Sequence, residues 1–289
     1  MNIHLLVNQS AGRGRSGNMC DSIVEEFRLR GIDVELLSPT SIIETESLLR
    51  KVMAQGCERL VVAGGDGIIN LAIQILAGST TILGIIPTGS GNDFARALNI
   101  PSGIREATAT ALSHPSSLDL LKVGGRWVAS VLTFGFSADV NTRANGMKRP
   151  KGPSRYTLAT LLSLPELRSR SVHMVVDGKD HHFDLTLGTV ANTSDFGGGM
   201  QIAPDADPTD GICNLTLVTD IGKLELLRFF RKVFDGSHMD HPKVQNLSGR
   251  EIFFMTEGFE LWGDGERIGT SPIRIELVSH ALHLAKGSV

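Results

Sequence analysis

The sequence predicts an α/β chain with an N-terminal doubly wound, mostly parallel α/β domain followed by an antiparallel β-sandwich. Three observations predict it. Apolar runs of strand length alternate with helical spacing as far as about His114, the pattern of strands joined by covering helices. From about Leu121 the pattern changes to short apolar or alternating runs separated by turn signals such as Asp177-Gly178, with few helices, which argues a sandwich. A chain of 289 residues is long for one core and comfortable for two. The boundary is expected within Pro115 to Leu121, giving domains 1–120 and 121–279.

Ile3 to Val7 reads as a first strand, and Asn8 to Gly17 as a glycine-rich turn before a helix that ends near Arg30-Gly31. Gly12, Gly14 and Gly17 fit the form G-x-G-x-x-G. The next strand, Val34 to Leu37, runs into Ser38-Pro39-Thr40 and not into the acid that would take a ribose. Arg13 and Arg15 make the turn electropositive, which suits phosphate as well as an exposed basic loop of no consequence. Ile42 to Gln55 has helical spacing through Ile43, Leu48, Leu49 and Val52.

Arg59 to Asn70, RLVVAGGDGIIN, reads as strand, tight turn and helix. Glycines let the backbone approach a ligand, and free N–H groups at a helix start favour an anion. Asp66 would repel a phosphate unless a divalent cation sat between them, so the turn points to a metal-bound polyphosphate. Alone, an Asp-Gly pair usually marks an ordinary turn. Ile82 to Leu98 repeats the arrangement, with Pro87-Thr88-Gly89-Ser90-Gly91 ahead of a helix beginning near Asn92. Both loops then fall at the carboxyl edge of one parallel sheet, where open α/β folds bind ligands.

In the second half, Val128 to Phe136, Val172 to Val176, Phe183 to Val190, Leu215 to Val218, Ile252 to Met255, Phe259 to Trp262 and Ile273 to Leu277 read as strands. Helical patches are expected around Arg155 to Leu167 and Gly222 to Phe234. His181-His182, His238 and His241 are expected at the surface without metal-ligand partners. Cys20, Cys57 and Cys213 have no zinc-binding spacing.

The formal net charge of −3 and the scarcity of aromatics argue against a nucleic-acid partner. No apolar run reaches membrane-spanning length, and the start has no basic head, so a cytoplasmic protein is expected. Between Arg143 and Arg170 lie seven Lys or Arg (Arg143, Lys148, Arg149, Lys151, Arg155, Arg168 and Arg170) against one acid, Glu166, flanking the apolar YTLATLLSL. That composition suits an anionic membrane surface as well as a core helix with solvated ends, and both readings stand.

GGDG with Asn70 shortly after it, followed by P-x-G-[ST]-x-N-D-F over Pro87 to Phe94, resembles the catalytic domain of the diacylglycerol kinase and sphingosine kinase superfamily, in its small soluble bacterial lipid kinase branch. The resemblance implies an ATP- and Mg²⁺-dependent kinase that phosphorylates a hydroxyl of a membrane lipid, diacylglycerol-like in the first place, in a cleft between the domains. It implies a tail, 280–289, that returns to the first domain through Leu282 to Ala285. Asn8, Gln9, Ser10, Ala11 and Gly12 correspond to the family's N-P-x-[SA]-G turn, with Gln9 in place of proline. With Thr40, Gly64, Gly65, Asp66, Gly67, Asn70 and Ser90 they would hold the nucleotide, Asp66 acting through the phosphates' metal.

Pro204 to Leu215 resembles the family's metal loop, in which Asp210 would organise Mg²⁺ with main-chain carbonyls of Asp207 and Ile212. On the residues alone it is an Asp-Gly turn. Gly263 to Glu266 resembles L-D-G-E, which makes Glu266 the general base and Asp264 a support for the turn. On the residues alone this is a hairpin with solvated carboxylates.

The chain departs from the family's G-G-D-G-T-x-N-E at Ile68 and Leu71, which leaves open a non-catalytic regulator that binds nucleotide or lipid. An NAD kinase-like enzyme shares GGDG, and an NAD-binding oxidoreductase would rest on the first glycine turn alone. The partner implied is a lipid at the inner face of the membrane, contacted peripherally, and a homodimer is left open.

Overall fold

The computed structural model describes residues 2–7, 16–147, 149 and 153–287. The chain divides into two compact units, Met1–Leu118 with His280–Val289, and Asp119–Ser279.

The first unit is a parallel sheet with helices. Its elements are β1 (Ile3–Val7), α1 (Ser16–Leu29), β2 (Glu35–Leu37), α2 (Ile42–Ala54), β3 (Arg59–Gly64), α3 (Asp66–Leu76), β4 (Ile82–Pro87), α4 (Asp93–Ala97), α5 (Ile104–Ala111) and the start of β5 (Pro115–Val123). Strand order is β2-β1-β3-β4. Every residue of β1 and β3 is buried, as expected of central strands covered on both faces. Leu5, Val7, Val61 and Ile86 pack with Ile23 and Phe27 of α1 and with Ala107 and Ala111 of α5. Arg59 is buried in β3, and its guanidinium donates to Ala111 O and, at 3.0 Å, to Ser113 O. It thereby satisfies carbonyls left open at the end of α5.

The second unit is an antiparallel sandwich. Its elements are β6 (Arg126–Val128), β7 (Val131–Gly135), α6 (Phe136–Gly146), α7 (Pro153–Ser163), β8 (Arg170–Val176), β9 (Lys179–Ala191), β10 (Asp195–Phe196), β11 (Met200–Gln201), β12 (Cys213–Thr219), α8 (Lys223–Lys232), β13 (Val244–Gly249), β14 (Glu251–Phe254), β15 (Glu260–Gly263), β16 (Glu266–Thr270) and β17 (Ile273–Ala285). The main path runs β16-β15-β7-β9-β8-β14-β17, with β12 on β9 and β13 on β12. One core gathers Phe134, Val172, Met174, Leu215, Phe254 and Ile275. Another joins Val131, Leu187 and Val218 of the strands to Val140 of α6, Ala159 of α7 and Phe229 of α8. The last residues of β17 belong to the first unit, where His283 pairs in parallel with Ile82.

Three expectations are corrected. Val128 to Phe136 is not one strand: β6 ends at Val128, β7 spans Val131–Gly135, and Phe136 opens α6. Gly135 makes the change possible, because its φ of 72° suits glycine and a Cβ there would lie 2.7 Å from Thr186 O. α6 itself was not expected, since it buries only Phe136, Ala138, Val140 and Ala144 in an otherwise polar stretch. His238 is buried and not at the surface; its Nε2 lies 3.2 Å from Ile202 O, its ring stands edge-on to Phe229, and burial lowers its pKa.

Candidate active site

In the first unit the parallel register aligns Gly64, the end of β3, with Pro87, the end of β4. The two following turns therefore lie side by side. Thr88 N–H donates to Gly64 O at 3.0 Å. A Cβ on Gly89 would sit 2.5 Å from the Gly65 Cα, so neither backbone could keep its place if that glycine were replaced. Asn92, in the left-handed region at φ 54°, closes the second turn. Its Oδ1 accepts from Gly89 N–H at 3.0 Å and its Nδ2 donates to Gly89 O at 2.9 Å.

Asp66 ties these turns together. Its Oδ1 accepts from the Phe94 N–H of α4 at 3.3 Å, and a Cβ on Gly91 would meet its Oδ2 at 2.7 Å. Burial, and then the charge of Asp93, push its carboxyl up, while the N–H groups of Phe94, Asn92 and Asp93 pull it down. The carboxylate thus holds the start of α4 beside the start of α3. Gly67 has open space over its Cα, and Ser90 is exposed. Asn70 is buried, its Oδ1 accepting from Gln74 at 2.8 Å. Thr40 follows β2 at the same sheet edge, but its N–H and hydroxyl both donate to Glu44, at 2.7 and 2.8 Å, at the head of α2. Asn8, Gln9, Ser10, Ala11 and Gly12 lie outside the described residues.

Ile68 stands where the family has threonine. Its Cγ2 fills the place that a Cβ on Gly64 would take, 2.0 Å away. The substitution is accommodated by apolar contact against the turn.

In the second unit Glu266 begins β16 after the turn Asp264-Gly265. It is exposed, and its carboxylate makes no ion pair or hydrogen bond among the described residues. The turn beneath it is held rigidly. Asp264, at φ 49°, accepts from Ala129 N–H at 2.6 Å and Ser130 N–H at 3.0 Å. Burial pushes its carboxyl up to about 6 against the pull of those two donors. From α6, Asn145 donates to Gly265 O at 3.2 Å, and Thr142 donates to Glu260 of β15 at 3.2 Å. An acid with free oxygens on a clamped hairpin tip can accept a proton.

The loop before β12 presents oxygen. Asp207 Oδ1 accepts from Thr209 N–H and hydroxyl, and Asp210 Oδ1 accepts from Ile212 N–H at 2.9 Å. Asp207 O accepts from Asp210 N–H at 3.3 Å. Each carboxylate keeps an oxygen outside these bonds, and donors of this kind fit a hard cation such as Mg²⁺. Underneath, the buried Asp119 accepts from Gly211 N–H at 2.8 Å and donates its own N–H to Pro208 O at 2.7 Å.

Asp119 and Asn145 are absent from the residues expected from sequence. A lone acid inside the apolar strand SLDLLKV was the available signal for Asp119. Nothing local marks Asn145, because α6 itself is not legible. The cations of 143–170 are also less free than their sequence suggests. Arg143 bonds to Ser163 and Glu166, at 2.8 and 2.7 Å. Arg168 and Arg170 line a pocket with Asp139, Phe259 and Glu260, in which Arg170 lies 3.7 Å over the Phe259 ring. Lys148 and Lys151 lie outside the described residues.

Residues 2–123 match the diacylglycerol kinase catalytic domain, and residues 130–286 match the YegS C-terminal NAD kinase beta sandwich-like domain. A diacylglycerol kinase of Mycobacterium tuberculosis is 32% identical over 289 residues, which cover 97% of this chain and 94% of the relative. The chain belongs to the diacylglycerol kinase family. A diacylglycerol kinase of Bacillus subtilis is 27% identical over 93% of this chain and 90% of its own. The crystal structure of a diacylglycerol kinase from Bacillus anthracis shares the fold, with a TM-score of 0.77 at 20% identity over 99% of this chain and 97% of that one.

Proposed function

We propose that this diacylglycerol kinase family member transfers the γ-phosphoryl group of ATP, with Mg²⁺, to a hydroxyl of a diacylglycerol-like membrane lipid. The observation that carries the reading is the Glu266 hairpin: a carboxylate without partners among the described residues, on a turn clamped by Asp264. Phosphoryl transfer asks a protein mainly for alignment and charge neutralisation. The glycine turns of the first unit would supply close main-chain N–H groups to the phosphates, with Asp66 fixing the distance between them. Mg²⁺, when bound, neutralises charge on the phosphate oxygens, and Asp207 and Asp210 are the side chains suited to hold one such ion. Glu266 would take the proton from the acceptor hydroxyl as the new P–O bond forms.

In this reading α7 would contact the lipid surface. Leu158, Leu161 and Leu162 share one helix face and are 37%, 48% and 49% exposed, while Ala159, Thr160 and Ser163 are buried. An apolar helix face of this kind suits the interfacial layer of a membrane. No helix among the described residues is long and apolar enough to cross one.

The test is transfer of labelled phosphate from ATP with Mg²⁺ to a panel of lipids in mixed micelles, native protein beside Glu266→Gln. Label in diacylglycerol, lost in the variant, is the expected outcome. Label appearing in NAD and in no lipid would overturn the reading in favour of an NAD kinase-like enzyme. Failure of all transfer with ATP binding retained would leave a regulator.

A further inference from the structure

The outward face of the β8–β9 hairpin carries a cluster that the kinase chemistry does not use. His173 of β8 pairs directly opposite His182 of β9, and Val175 opposite Asp180. Val172, Met174 and Val176 point into the sandwich core. The period of two then puts His173, Asp180 and His182 together on the other face. Their side chains meet there: the imidazoles stack with centroids 4.3 Å apart and planes at 15°, and His173 Nε2 lies 2.6 Å from Asp180 Oδ1. One donor atom from each of the three lies within 4.8 Å of the others. The expectation that His182 lacks metal-ligand partners is therefore overturned, because the ladder joins residues that the sequence keeps apart.

We propose that His173, Asp180 and His182 form a binding site for a divalent transition-metal ion, with Zn²⁺ as the first candidate. Two imidazole nitrogens and a carboxylate oxygen are a donor set that zinc accepts and that differs from the all-oxygen loop around Asp210. An ion roughly 2.0–2.2 Å from each donor needs those donors about 3.3–3.5 Å apart. Asp180 and His182 are exposed and can close the remaining distance by side-chain rotation alone, while the strand register holds the Cα positions. On binding, the ion replaces the contact between His173 and Asp180, and any proton on the coordinating nitrogens leaves to solvent. Three protein donors leave a fourth position for water. The ion bridges neighbouring strands and would staple the hairpin.

Calorimetric titration of Zn²⁺ into the full chain in Mg²⁺-free buffer tests the site. One equivalent is expected to bind, and His182→Ala should weaken it by about tenfold or more. His181→Ala serves as the control, since His181 sits opposite Met174 on the other face, and its affinity should match the native value. Melting of each variant without metal checks that it folds. Zinc bound as tightly by His182→Ala as by the native chain overturns the proposal, as does uptake lost only in Asp210→Asn. Absence of binding at millimolar zinc also overturns it and leaves an ion pair beside a ring stack.

Discussion

Glu266 and Asp264 are two residues apart and are set to opposite tasks by what surrounds them. Glu266 is exposed and makes no side-chain bond among the described residues, so Glu266→Gln should leave the melting temperature unchanged while lowering turnover by about a hundred- to ten-thousand-fold. Turnover within threefold of native would remove it from the proton transfer. Asp264 is structural. Its folded pKa of about 6 lies above the ordinary carboxyl value of 3.8. The folded chain therefore holds the proton more tightly than the unfolded one. The stability this adds is fully present below pH 3.8 and is lost as pH rises through about 6, a change of about 2 to 3 kcal/mol at most. Denaturant titrations from pH 4 to 7 should show that decline in the native chain and a flatter profile in Asp264→Asn. At this scale the sequence was informative about residue type and poor about partners. GDGE marked an acidic turn, but the Ala129 and Ser130 donors lie far away in the chain and only the β15–β7 pairing brings them under it.

The parallel strands of the first unit were legible because burial on both faces makes them continuous apolar runs. The glycines after β3 and β4 were legible as tight turns, because glycine lets the backbone reverse where a Cβ would collide. Their division of labour was not. Gly65 and Gly89 face each other, whereas Gly67 faces open space. Gly89→Ala should accordingly cost about 1 to 3 kcal/mol by forcing backbone apart and should weaken ATP binding, read by denaturant midpoint and by the thermal shift with ATP. Gly67→Ala should cost less stability, and equal costs would show that the contact between Gly65 and Gly89 does not set the turn. α6 and β13 were missed for a common reason. Each is held by tertiary contacts, with too few apolar positions in NTRANG or VQNLSG to mark a period.

At the scale of the molecule, charge and apolar surface give opposite expectations for a membrane. The chain carries a net −3, so an anionic bilayer repels it on average, and several of the cations between 143 and 170 are already engaged within the second unit. On the proposed lipid contact, attraction would come mainly from apolar area. The α7 leucines would supply it as a set, because three of them share a face and each is about half withdrawn from solvent already. Completing the burial of three half-covered leucines is worth roughly 3 kcal/mol, about a hundredfold in partition. Replacing Leu158, Leu161 and Leu162 together by serine should therefore lower binding to diacylglycerol-containing vesicles by about tenfold to a hundredfold in a sedimentation assay. Turnover of a short-chain diacylglycerol dispersed in water, which needs no bilayer contact, should fall far less. The native binding should also weaken only modestly between low and physiological salt, since screening removes charge attraction and leaves apolar burial in place. Steep loss with salt, or unchanged vesicle binding in the serine variant, would assign the lipid contact to the cations and not to the α7 face.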